Sequence, residues 1–385
     1  AGMERYFQIA RCFRDEDLRA DRQPEFTQLD MEMSFMSVDE ILELMEGLIK
    51  FVFDGALGTD IKIPFRRMTW DEAMDRYGSD KPDLRFGMEL VNMVDAVKDA
   101  DFTVFRSVVE NGGQVKAINV KGYANIPRRE ADALKDFVGI YGAKGLAYIQ
   151  YLADGTVKSP IAKFFTKEQM DCILATAKAE PGDLLFFVAD KPAVVAAALG
   201  ALRIEMAKRL NLIDPNALEF LWVVDFPMFE YDEEEKRYVA MHHPFTSPRD
   251  EDLPLLETDP SKVYAKAYDM VLNGTEIGGG SIRIHRRDVQ KAIFSAIGLS
   301  DEEAQEKFGF MMNAFEYGAP PHGGLAFGLD RLIMIMAQRE SIRDVIAFPK
   351  TQSASCIMTQ APNDVDEKQL RELHIKTSML MKKDK

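Results

Sequence analysis

Residues 26–35 alternate without a break: Thr27, Leu29, Met31, Met33 and Phe35 fall on one side of an extended chain, and Gln28, Asp30, Glu32 and Ser34 fall on the other. That period of two belongs to a β-strand, whose successive side chains point to opposite faces. The apolar row needs a core, so the chain must build a sheet from its first residues. A polar row opposite usually faces water. Here the strand and a second one expected over 6–14 flank a charged loop, so the polar row is read as the lining of a cleft. Ser37 with Glu40 then makes a capping-box pattern ahead of Ile41, Leu42, Leu44, Met45, Leu48, Ile49 and Val52 at helical spacing. That helix is expected to back the sheet.

At 385 residues the chain exceeds one ordinary domain. After residues 70–85 the texture changes: 86–216 carries small α/β units, with a helix over 192–210 and no convergent polar motif, and reads as a separate module. Strand character resumes at Leu221-Trp222-Val223-Val224-Asp225-Phe226. A net charge of -15 argues against gripping nucleic acid over the whole surface, which needs clustered Lys and Arg. Cys12, Cys172 and Cys356 are scattered, with no C-x-x-C pair, so neither a disulfide framework nor a zinc site is indicated and a reducing, cytoplasmic setting fits. No apolar run nears the roughly 18 residues a membrane span needs.

Two stretches near opposite ends each offer an arginine to an anion. Arg14 ends the first strand, and Gly323-Gly324-Leu325-Ala326-Phe327-Gly328-Leu329-Asp330-Arg331 leads glycines into an apolar helix with Arg331 in its first turn. Helix N-termini favour anions because unpaired N–H groups and the dipole face them. Between them, Gly278-Gly279-Gly280 interrupts a strand-like run. Three glycines in a strand sacrifice stability unless a backbone or ligand approaches closely. The run matches neither G-x-G-x-x-G nor a P-loop.

Phe13-Arg14-Asp15-Glu16 resembles motif 2 of class II aminoacyl-tRNA synthetases, and Gly328-Leu329-Asp330-Arg331 resembles their motif 3. With residues 13–35, His242-His243-Pro244-Phe245-Thr246 and residues 274–283, the chain is similar to bacterial-type aspartyl-tRNA synthetases over almost its whole length. The resemblance implies an α+β fold, an antiparallel sheet flanked by helices, with an inserted α/β domain of the GAD type. It divides the chain into 1–85 (catalytic, motif 2), 86–216 (inserted) and 217–385 (catalytic, motif 3, and a C-terminal extension). It also places an anticodon-reading barrel and motif 1 ahead of residue 1, so the chain is expected to be the C-terminal part of a protein that is a homodimer at full length.

The implied chemistry is adenylation: the α-carboxylate of L-aspartate attacks the α-phosphorus of ATP, pyrophosphate leaves, and aspartate passes to the 3′ end of tRNA(Asp), with tRNA(Asn) open as a second acceptor. The carboxylate is already a nucleophile, so the protein must chiefly place two anions and neutralise charge on phosphate oxygens. By resemblance Arg14 spans the α-phosphate and the amino-acid carboxylate, and Arg331 holds the γ-phosphate end and covers the adenine, with Phe26 on its other face. Glu16, Gln23, Glu276, Gly328, Leu329 and Asp330 complete ATP binding. Asp269 and Glu276 are the expected Mg2+ ligands, since hard oxygens suit that ion. Arg283 would read the aspartate side chain with its planar fork, Asp30 would accept the ammonium, and His242 and His243 would lie on a loop over the amino acid, His242 as the substrate contact.

Glu276 and Arg283 are an odd number of positions apart, so a regular strand would point them to opposite faces. A bulge or irregularity among the glycines is therefore expected. Asparaginyl-tRNA synthetase, a non-catalytic paralogue and an amidotransferase-associated tRNA-binding protein compete with this reading. The insertion and His-His-Pro-Phe-Thr oppose the first, the intact charged residues the second, and the ATP motifs the third.

Overall fold

The computed structural model describes residues 2–15 and 19–377, which form two compact units, 2–6 with 31–326, and 7–15 and 19–30 with 327–377. The larger unit is built on a sheet whose neighbouring strands run Glu25–Ser34 (its Met31–Ser34 part), His322–Gly328, Thr275–Ile282, Ala267–Leu272, Phe220–Val224, Arg66–Thr69. Ala267–Leu272 pairs antiparallel with both of its neighbours, and Arg66–Thr69 adds one parallel pair at the edge. An antiparallel sheet flanked by helices is thus present, as the sequence led us to expect.

The helix Val38–Leu57 starts where the capping box put it: Glu40 N–H donates to Ser37 Oγ at 3.3 Å and Ser37 N–H to Glu40 Oε2 at 2.7 Å. It buries Ile41, Leu42, Met45, Ile49 and Phe53. Its buried Glu46 also accepts the Trp222 indole N–H at 3.0 Å, which fixes the helix on the strand Phe220–Val224. The alternation of residues 26–35 holds through Met31 and Met33, which are buried, but not through Phe35. Phe35 has φ 61° and is 69% exposed, because its N–H turns to Pro321 O at 2.8 Å and the strand stops at Ser34.

The expected bulge is present. Along the pair Ala267–Leu272 and Thr275–Ile282, Met270 faces Gly278 and Val271 faces Glu276, so Ile277 is the extra residue, immediately before the glycine run. The glycines answer a close approach: a Cβ on Gly280 would strike Gly324 O, and one on Gly324 would strike Met31 O. The backbone of this sheet region packs too tightly for any larger residue.

Between residues 91 and 190 lies a second sheet of five strands, ordered Val91–Asn92, Gln114–Val120, Leu184–Asp190, Ala147–Tyr151, Val157–Lys158, with every pair antiparallel. Both faces are covered. Ile118, Val120, Phe186 and Val188 pack on Leu134, Val138, Leu199 and Leu202, while Val115, Leu185 and Phe187 pack on Met93, Phe105 and Ile173. This module is tied to the helix Trp70–Tyr77 by the Arg76 to Glu89 pair, whose Nη2–Oε1 distance is 2.6 Å, and by buried Lys116 on Asp75. Backbone contact between Gly78 and Gly200, where no Cβ would fit, completes the joint.

Candidate active site

In the larger unit the glycine strand and its neighbour bring two carboxylates together. Asp269 faces Gly279 across the pair, and a Cβ on Gly279 would collide with Asp269 Oδ1 and touch Glu276 Oε1 at 3.5 Å. The missing side chain is therefore what makes room for both acids. Burial first, then the charges of Glu276 and Asp80, hold the Asp269 carboxyl well above the ordinary range, with Lys81 acting in the opposite sense. Two hard carboxylates around a space too small for a side chain fit a magnesium ion, which takes one or two protein carboxylates and fills its shell with water and phosphate oxygens. Among the described residues, no group of three or more His, Cys, Asp or Glu is spaced to hold a metal by itself.

Arg283 follows directly on the strand Thr275–Ile282 and donates to four acceptor contacts. Nε and Nη2 reach Glu32 Oε1 at 3.1 and 2.8 Å, and Nη1 reaches Ser281 Oγ at 2.6 Å and His243 Nε2 at 2.9 Å. His243 Nδ1 also receives the Phe245 N–H at 3.2 Å. Burial, Arg283 and then His242 push the His243 pKa down to about 4, so the ring is neutral at physiological pH. His242 stands edge-on to Phe226, with ring centroids 4.7 Å apart. Its pKa is lowered by the crowding protein first, with Glu276 and Asp80 opposing that and Arg283 adding to it.

In the smaller unit the Arg14 guanidinium carbon lies 5.2 Å from the Phe26 ring centre. Arg331 Nη2 approaches Asp21 Oδ2 at 3.2 Å, and Gln8 Nε2 approaches Asp30 Oδ2 at 3.5 Å. Two residues expected at ATP are held by the protein's own backbone. Gln23 is buried and its Oε1 accepts Lys350 N–H at 2.7 Å, and Asp330 Oδ2 accepts Thr27 N–H at 2.6 Å. Gly328 caps the helix Leu329–Met336, with Leu329 as its first residue. Glu16 lies outside the described residues.

The geometry also gathers residues that sequence reasoning passed over: Glu32 and Ser281 on Arg283, and Asp80 and Lys81 acting on Asp269. Ser281 was recoverable, since it lies two positions from Arg283 on a strand. Glu32 belonged to a polar row whose partner strand no local pattern reveals.

A family model described as tRNA synthetases class II (D, K and N) matches residues 1–352. An aspartate–tRNA(Asp/Asn) ligase of Heliobacterium modesticaldum is 64% identical over 385 residues, covering 100% of this chain and 64% of that protein. Another of Lachnoclostridium phytofermentans is 60% identical over 375 residues, covering 97% and 63%. An aspartate–tRNA ligase of Ruminiclostridium cellulolyticum is likewise 60% identical over 375 residues, covering 97% and 63%. The chain thus spans a little under two thirds of the length of these curated relatives. Among solved structures, an asparaginyl-tRNA synthetase of Entamoeba histolytica in complex with asparaginyl-adenylate aligns at TM-score 0.45 and 14% identity over 92% of this chain and 53% of that one, a likeness too slight to carry an argument. With a matching model over 352 of its residues and relatives of this identity, the chain belongs to the class II tRNA synthetases of the D, K and N group.

Proposed function

We propose that this chain carries the amino-acid activation chemistry of an aspartate–tRNA ligase: ATP and L-aspartate give aspartyl-adenylate and pyrophosphate, and aspartate then passes to the 3′ end of tRNA(Asp). The observation that carries the reading is Arg283, a guanidinium whose side edge is held by Glu32 while its Nη1 meets only the neutral side chains of Ser281 and His243. A planar fork in that state suits a carboxylate. Asparagine would set an NH₂ group against N–H donors, and an unpaired buried polar group costs about 1–3 kcal/mol.

The residues divide the work. Arg283 takes the aspartate side chain, with His242 as the loop residue proposed to contact the substrate, His243 lying on Arg283 itself, and Asp30 as acceptor for the ammonium. Arg14, Phe26 and Arg331 receive ATP, Arg14 also meeting the aspartate α-carboxylate, with Gln23, Gly328, Leu329 and Asp330 as the backbone-braced frame around them. Glu16 is proposed for the same nucleotide set. Asp269 and Glu276 would hold Mg2+, which when bound supplies charge neutralisation for the phosphate oxygens. Without a cation, burial first and then the charge of Glu276 raise the Asp269 pKa, and a bound cation would relieve both.

Residues 86–216 are proposed as the inserted domain, between catalytic parts 1–85 and 217–385. A homodimer for the whole protein, charging of tRNA(Asn) and a cytoplasmic setting belong to the same proposal; no helix among the described residues is long and apolar enough to cross a membrane. The names of the relatives from Heliobacterium and Lachnoclostridium include both tRNAs, which supports the wider acceptor range. ATP–pyrophosphate exchange with aspartate or asparagine supplied separately tests the core of the reading. Exchange with aspartate is expected, and exchange with asparagine alone would overturn it.

A further inference from the structure

We propose that Glu32 is the positioning residue of the aspartate pocket: it pins the side edge of the Arg283 guanidinium so that the Nη1/Nη2 edge is turned to the substrate carboxylate. The inference deepens the reading above and rests on it. Glu32 touches no substrate in this account and acts only through Arg283.

A guanidinium has five N–H groups, and its side edge, Nε with one Nη2 hydrogen, is geometrically distinct from its outer edge. Glu32 takes the side edge with one oxygen, at 3.1 and 2.8 Å. Ser281 and His243 face Nη1 at 2.6 and 2.9 Å. The fifth N–H, on Nη2, meets no acceptor among the described residues. A bidentate carboxylate needs one hydrogen from each Nη, so its place is open at Nη2, and at Nη1 it displaces one of two neutral contacts, of which His243 is the one in competition with another donor.

That contact is weak. Neutral imidazole has one acceptor nitrogen, yet Arg283 approaches Nε2 and the Phe245 N–H approaches Nδ1. Only one of these donors can be satisfied at a time, and the contact with Arg283 is the one an anion can replace. Glu32 is in the opposite position. Its carboxylate lies against Gly324, where a Cβ would come within 2.5 Å of Glu32 Cδ and 2.7 Å of Oε1, so the glycine admits it. Its second oxygen, Oε2, is buried with no hydrogen-bond partner among the described residues. A buried, unmatched carboxylate oxygen is costly. It is kept here because the other oxygen holds Arg283 against the pull of a second anion.

The test compares wild type, Glu32→Ala and Glu32→Gln by calorimetric titration with a non-hydrolysable aspartyl-adenylate analogue (an aspartyl-sulfamoyl adenosine) and, separately, with ATP and magnesium. Glu32→Ala is expected to weaken the aspartyl analogue roughly ten- to hundredfold, the factor for a charged hydrogen bond, and to leave ATP within about twofold. Glu32→Gln, which keeps an acceptor for the side edge, should recover part of the loss. Unchanged affinity in Glu32→Ala, or equal losses for the analogue and ATP, would overturn the positioning role. A wild-type chain that prefers the asparaginyl analogue would overturn the aspartate reading itself and this inference with it.

Discussion

Two arginines of the larger unit, one fully buried and one partly buried, are solved in opposite ways. Arg203, on the helix Pro192–Arg209, is 1% exposed and spends its donors on backbone: Nε on Met88 O at 3.2 Å, and Nη2 on Asp83, Phe86 and Gly87 O at 2.8, 2.9 and 2.9 Å. The rings of Tyr77 and Phe86 cover its guanidinium, whose carbon is 5.0 and 4.0 Å from their centres. Arg283 is bound to side chains instead, with an acceptor shared at one nitrogen and an N–H left over. Burial of a charge alone therefore does not mark a site; the fate of its donors does. The first arginine is a joint closed on itself, and the second keeps an edge for something else.

The largest expected effect falls on the closed joint. Arg203→Leu strands several backbone carbonyls and removes the cation they were built around, so we expect a stability loss of about 3–5 kcal/mol in denaturant unfolding. Burial lowers the Arg203 pKa to about 10, still cationic at neutral pH, so the loss should not vary between pH 6 and 8. A loss below about 1 kcal/mol would make it an ordinary helix residue.

Arg283→Leu should do the reverse. Aspartate affinity is expected to fall by about 2 kcal/mol or more, the low end of the cost of truncating one partner of a hydrogen-bonded charged pair, because the pair is only partly buried. ATP affinity should hold. A variant that still activates aspartate normally would remove Arg283 from selectivity and leave the contrast between the two arginines without a functional side.

A smaller effect should separate the acid pair from both arginines. The Asp269 carboxyl is raised in the folded chain, so the folded state holds its proton more tightly than the unfolded one. Its contribution is fully present below the unfolded value of about 3.9 and is lost as pH rises toward the folded value, at up to about 1.4 kcal/mol per pH unit. In chelator, wild type should therefore lose stability as pH rises above about 4 relative to Asp269→Asn. Parallel pH profiles for the two proteins would contradict the cause assigned to the shift.

Local rules carried part of this architecture in the sequence. The capping box at Ser37 and Glu40 fixed a helix start because both partners lie three residues apart, and the parity of Glu276 and Arg283 required a bulge that appears at Ile277. What was not legible depends on strand neighbours. Glu32 looked like any member of a polar row until Met31–Ser34 was seen beside His322–Gly328, with Gly324 leaving room for it. Arg203 sat among alanines and leucines with no local sign that residues 83–88 would supply its acceptors. Gln23 and Asp330 matched a motif, yet their side chains bond to backbone N–H groups far along the chain.

The central claim, that the outer edge of Arg283 reads a side-chain carboxylate, is tested most directly by titrating the wild-type chain with aspartyl- and asparaginyl-sulfamoyl adenosine in turn. The account predicts tighter binding of the aspartyl compound by at least about tenfold, the value of about 1.4 kcal/mol for one unmatched donor. Equal affinities, or a preference for the asparaginyl compound, would contradict it.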